Sequence, residues 1–96
     1  MTRTTKIKLK LFVAGDTENS VQAMTNLSAM CTEFVPHSCE IEIIDVFRYP
    51  KRASAAGIFM TPTLLKISPE PWRTVVGTLS ESQPVLQALG LGTVTK

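Results

Sequence analysis

The chain has 96 residues, with ten Lys or Arg against eight Asp or Glu, 44% hydrophobic residues and 19% charged ones. That composition excludes a disordered chain and suits one modest core. No apolar stretch reaches the roughly 18–20 residues needed to cross a bilayer, and the N-terminal MTRTTKIKLKLFVAG alternates charge with hydrophobe, as no signal peptide does. A cytoplasmic protein is expected, with residues 1–96 forming one domain and loose tails at 1–5 and 92–96.

Ile7, Leu9, Leu11 and Val13 alternate with Lys6, Lys8 and Lys10, a period of two that predicts a strand. Phe12 breaks the polar face, so the end of this strand is expected to be buried on both sides. Gly15 and the cluster DTENS follow, and Thr17 or Asn19 can cap a helix. From Val21 the period changes. Val21, Met24, Leu27, Cys31 and Phe34 recur at three- and four-residue steps, which predicts one apolar stripe on a helix ended by Pro36.

Ile41 to Phe47 read as a second strand, with Asp45 the exception in an apolar run and a candidate acceptor of backbone bonds at the strand end. KRASAAG after Tyr49-Pro50 can hold two helical turns before Gly57 stops them. Thr63 to Ile67 is the third strand, SPEP a tight turn, and Trp72 to Leu79 the fourth strand. Ser80 or Ser82 can cap a last helix with Pro84 in its first turn and Gly90 as its stop.

A strand, a crossover helix and a strand imply a parallel, right-handed pair. Two strands joined by a short turn are antiparallel. The order β-α-β-α-β-β-α then gives an α/β fold, a four-stranded mixed sheet with helices on both faces. This is the thioredoxin-like arrangement. Its strand after the second helix characteristically opens on a cis-proline, and Thr61-Pro62-Thr63 stands there. Thioredoxins also carry a Cys-x-x-Cys at the junction of the first strand and first helix. Here the junction reads VAGDTENSV, without a cysteine. Thiol exchange needs a thiolate there, so the oxidoreductase reading fails on chemistry.

The only cysteines, Cys31 and Cys39, match neither a redox Cys-x-x-Cys nor a zinc knuckle, and the lone His37 adds no ligand set. Idle or buried thiols are expected, and neither a metal nor another cofactor. The Lys6, Lys8, Lys10 stripe reads as a solvated strand face or as a patch for an acidic protein. No aromatic interleaves it, which speaks against nucleic acid. Trp72 either covers the sheet edge or anchors a partner.

Three segments, LKLFVAGDTENSVQAM, IEIIDVFRYP and MTPTLLKISPEPWRTVVGTLS, resemble the KaiB family of circadian clock proteins. They are equally similar to the KaiB-like sensor domain of the clock-output histidine kinase SasA. The resemblance spans about residues 6–91 and rests on AGxTxNS, I-I-D-V, TPTL and a final G-x-L-S together. It marks Gly15, Asn19, Ser20, Asp45, Pro62 and Thr63 as the structural motif. It implies a binding protein without catalysis, whose partner is the hexameric ATPase KaiC or a KaiC-like ATPase. It also implies an alternative fold, an inactive tetramer with a rearranged C-terminal half, and hence a homo-oligomer, dimer or tetramer, in the inactive state. The stand-alone regulator is the expected reading because the chain holds no kinase module; a histidine-kinase input domain is the alternative.

The same resemblance puts Lys8, Gln22, Glu40, Glu42 and Gly57 on the partner-facing side. Cyanobacterial KaiB more often has arginine where Gln22 stands, a basic residue where Glu42 stands and lysine where Gly57 stands, so the charge of the partner surface is expected to differ. Ala88 stands where glycine is commoner and favours helix by about 1 kcal/mol, which tilts the last segment toward the thioredoxin-like form.

Overall fold

Strand β1 (Ile7–Val13) sits inside the sheet, parallel to β2 (Cys39–Asp45) on one side and antiparallel to β3 (Thr63–Ser68) on the other. Strand β4 (Arg73–Val76) pairs antiparallel with β3, giving the order β2-β1-β3-β4. The computed structural model describes residues 6–34, 39–68 and 71–89. The expected mixed sheet and element order are both present, and the chain takes the thioredoxin-like form rather than the rearranged alternative.

The alternation in β1 sorts the two layers. Ile7, Leu9, Leu11 and Val13 face α1 (Glu18–Phe34) and α3 (Ser82–Ala88), where they form a core with Leu27, Leu64 and Val85. Phe12 points to the other face and packs with Ile44, Leu65 and Ala53 of α2 (Pro50–Ala55). Phe12 is 1% exposed, so the end of β1 is buried on both sides as its sequence predicts. The Thr61–Pro62 bond is cis, and Thr63 enters the ladder beside Phe12 and Val76.

Several boundaries and faces differ from the sequence reading. The buried side of α1 is Ser20, Ala23, Leu27, Met30 and Cys31, whereas Val21 and Phe34 are exposed. The inward stripe thus lies one position off the most hydrophobic spacing, because small Ser20 and Ala23 let the helix approach the sheet closely. Thr17 precedes the helix and takes the Val21 N–H on its carbonyl, whereas Asn19 lies within the first turn. Strand β2 begins at Cys39 and ends at Asp45, and Ile43 is exposed on this edge strand.

Strand β4 stops at Val76, short of the predicted Leu79. Gly77 and Leu79 have φ of +119° and +63°, which turns the chain out of the sheet and drives Leu79 into the helical core. The Asn26 amide donates to the Thr78 carbonyl at 2.9 Å, tying α1 to this segment. No side chain caps α3; the Thr78 hydroxyl donates to Ser80 Oγ instead, and Glu81 holds the cap position. The expected stops at Pro36 and Gly90, the side chain of Ser82, the middle of SPEP and the terminal tails lie outside the described residues.

Helix α2 ends in a paired-bond cap. The Ile58 N–H donates to Ala53 O and the Gly57 N–H to Ser54 O, with Gly57 at φ +73°. A Cβ at Gly57 would meet nothing within 4 Å, so only the backbone angle penalises a side chain there. Gly57→Ala is therefore expected to lose about 1 kcal/mol of stability, read as a lower urea midpoint with an unchanged slope.

Candidate partner-binding surface

Because β1, β2 and β4 run one way and β3 the other, four connections meet at one end of the sheet. These are the turn after β1, the turn after β2, the segment before β3 and the chain after β4. Buried Ser20 organises the first: its hydroxyl accepts the Ala14 N–H at 3.0 Å and the Thr17 hydroxyl at 2.8 Å. The Asp45 carboxylate joins the first turn to the second by accepting the Gly15 N–H at 3.2 Å and the Phe47 N–H at 2.9 Å. Gly15 has φ +59°, and a Cβ built there would lie 3.5 Å from the Phe47 ring. The Thr63 hydroxyl donates to Met60 O at 2.6 Å, and the Gly77 N–H donates to Pro62 O at 2.9 Å, which fixes the other two connections.

Around this hydrogen-bonded centre the surface is apolar. Phe59 is 88% exposed, Phe47 73% and Met60 61%, and Val76 and Tyr49 are exposed as well. Large exposed side chains gathered in one region mark an interaction site more often than chance exposure does. Phe47 reads as strand continuation after Ile43-Ile44, and Phe59-Met60 falls between a helix stop and a proline. Their role is invisible until the topology brings the turns together. The one sequence-level signal is a pair of large apolar residues in a segment with neither helical nor strand period.

A second feature lies on the sheet face that α2 covers only in part. Lys8 stands opposite Glu40 and Lys10 opposite Glu42 in the β1–β2 register. With Ile67 these four side chains line a shallow depression of about 350 Å³. Arg52 of α2 pairs with Glu42 at 3.0 Å and lies 5.9 Å from the centre of the Tyr49 ring. The Arg52 hydrogen bond and charge hold the Glu42 carboxyl below its ordinary value, and Lys10 adds in the same direction.

Of the residues expected on the partner side, Lys8, Glu40 and Glu42 thus come together on one face. Gln22 does not join them, since it is exposed on α1 in the opposite layer. Gly57 lies at the end of α2, near the cis-proline end rather than in the depression. The motif residues Gly15, Ser20, Asp45, Pro62 and Thr63 cluster at the apolar end, with Asn19 exposed on the first turn of α1 beside them. No thiol stands in the turn after β1. Cys31 and Cys39 lie together at the opposite end of the sheet, with their sulfurs 2.8 Å apart, rather than as two unrelated thiols.

The KaiB domain family matches residues 10–91. The chain belongs to the KaiB family. It is 36% identical over 86 residues to the circadian clock protein KaiB3 of Synechocystis, covering 90% of this chain and 84% of that protein. It is 41% identical over 83 residues to the circadian clock oscillator protein KaiB of Microcystis aeruginosa, covering 86% of this chain and 80% of that one. Among solved structures, the N-terminal domain of Synechococcus elongatus SasA overlays with a TM-score of 0.67 at 24% identity, covering 100% of this chain and 94% of that domain. Fasciola hepatica thioredoxin overlays with a TM-score of 0.73 at 14% identity, covering 94% and 84%. This KaiB-family chain thus shares its fold with thioredoxins while its β1–α1 turn lacks their thiols.

The Glu42–Arg52 pair yields a pH prediction with a defined sign. A carboxyl whose value is lower in the folded state stabilises the fold above the unfolded value and loses that contribution as pH falls. Glu42 is expected to titrate below 4.5 in the folded protein and to return toward it in Arg52→Ala. A carbon-detected NMR titration of the Glu42 carboxyl checks both values. Both side chains are about half exposed, so the accompanying change in stability is expected to be below about 1 kcal/mol.

Proposed function

We propose that this protein is a cytoplasmic, non-catalytic regulator that binds a KaiC-like ATPase, in a circadian clock or a related timing or stress-signalling system. Membership of the KaiB family supports a clock-type regulatory role, and the thioredoxin-like arrangement is the form whose resemblance implies partner binding. The single observation that carries the reading is the end of the sheet around cis-Pro62. There a thioredoxin would need its thiolate, and this chain instead presents Phe47, Phe59 and Met60 to solvent around a rigid hydrogen-bonded turn. Such a surface can grip another protein and has no nucleophile with which to turn over a disulfide.

On this reading, exposed apolar side chains supply the anchor, and the Lys8, Lys10, Glu40 and Glu42 ladder supplies register and charge selection. Opposite charges alternating across two strands favour a partner with the complementary pattern and disfavour one of a single sign. The inactive homo-oligomer expected of the family would require the second half of the chain to leave this arrangement.

The chain is expected to co-elute with the KaiC-like ATPase of its own genome in at least one of the ATP and ADP states. Phe59→Ser should weaken that binding at least about tenfold, as loss of an anchor does, while leaving the thermal midpoint within error because the side chain is already 88% exposed. Absence of binding in every nucleotide state would remove the reading. Dithiothreitol-driven insulin reduction should proceed at the uncatalysed rate; substantial acceleration would contradict the non-catalytic assignment.

A further inference from the structure

Cys31 lies in the last turns of α1, and Cys39 is the first residue of β2. Both are free, and the Cys39 thiol donates to Cys31 Sγ across 2.8 Å. Packed apolar atoms rest at about 3.5–4.0 Å, whereas a formed disulfide spans about 2.05 Å. The two sulfurs are therefore nearer to bonding distance than to ordinary contact. The crossover from α1 into β2 makes the juxtaposition, and the register of Cys39 against Ile7 holds it at the sheet edge.

The two thiols also differ in the way a peroxide-sensing pair requires. Cys39 is half-buried and so within reach of a small oxidant, whereas Cys31 is buried. Burial first, and then the hydrogen bond and charge of Cys39, push the Cys31 thiol up to about 12. Cys31 is thus shielded from direct attack and stored as a thiol against the sulfur that reacts.

We propose that Cys31 and Cys39 form a reversible dithiol–disulfide site, oxidised by hydrogen peroxide or a small organic hydroperoxide, with Cys39 attacked first and Cys31 resolving. The Cys39 thiolate attacks the peroxide O–O bond and takes one oxygen as a sulfenic acid, and the other oxygen leaves as hydroxide and is protonated to water. The Cys31 sulfur then attacks Cys39 Sγ. The S–O bond breaks, and the hydroxyl departs with the Cys31 proton as a second water. Two thiols and one hydroperoxide become one disulfide, one water and a second water or alcohol, with two electrons passing from sulfur to oxygen. The bridge pins the end of α1 to the edge strand beside Glu40. It lies at the opposite end of the sheet from Phe47 and Phe59, so it stands or falls separately from the proposed partner binding.

The test uses the full, reduced chain treated with stoichiometric hydrogen peroxide, after which remaining thiols are blocked with iodoacetamide. Cleavage after Glu33 separates the two cysteines. They are expected to stay linked within one chain and to separate on adding dithiothreitol, and the oxidised protein should melt roughly 10 °C higher. In Cys31→Ser, dimedone should label residue 39 as a sulfenic acid; in Cys39→Ser, Cys31 should remain reduced. Both cysteines recovered as carbamidomethyl derivatives, a link only between chains, or preferential dimedone labelling of Cys31 would overturn the proposal. The wild-type comparison in concentrated urea holds even where a variant misfolds. The native chain should form the bridge much faster than the unfolded one, and equal rates would show that the fold contributes nothing.

Discussion

Strand β1 hydrogen-bonds to a strand on each side, and its alternating side chains serve both layers at once. Every other element is placed by reference to it. Odd-numbered residues dictate where α1 and α3 lie, and Phe12 dictates where α2 lies. Only the end of β1 carries an apolar residue on the second face. The short α2 therefore covers that end and leaves Lys8 and Lys10 open beside Glu40 and Glu42. A charged ladder on an uncovered sheet face thus follows from where the hydrophobes of a single seven-residue strand run out.

The same strand directions bring four connections to one end, and short polar bonds hold them there. Ser20 and Asp45 are the two side chains that make those turns one unit. In a thioredoxin this corner carries redox chemistry. Here an equivalent scaffold presents aromatic and methionine side chains around a turn with no thiol. Fold and function part company at a handful of positions, as they do in widely reused folds. The two cysteines that the chain does possess lie across the sheet, where they can cross-link elements but cannot sit at the start of α1.

Local pattern and three-dimensional packing agreed wherever a residue's burial followed from its immediate neighbours. The lysine alternation of β1, the Gly57 stop of α2 and the cis-proline before β3 are of that kind. They disagreed where a distant element decided the outcome. The inward face of α1 is set by small Ser20 and Ala23 meeting the sheet, although Val21 and Phe34 are more hydrophobic. Strand β4 ends early because Leu79 is pulled into the core between α1 and α3 at a positive φ, which a strand-forming string of residues cannot announce.

The candidate site divides in the same manner. Lys8, Glu40 and Glu42 lie on one face because the period of two in adjacent strands puts them there, and that period is written in the chain itself. The apolar end formed by Phe47, Phe59 and Met60, the Arg52 bond to Glu42 and the Cys31–Cys39 contact are decisions of tertiary structure. Each joins residues from separate elements, and only the order and direction of the strands bring them within reach. Composition and spacing alone determined the family, the element order and the missing thiol at the β1–α1 turn, because these are local or collinear properties. Which side chains meet across the fold was settled by the burial of β1 on both faces, a constraint that acts between segments far apart in sequence.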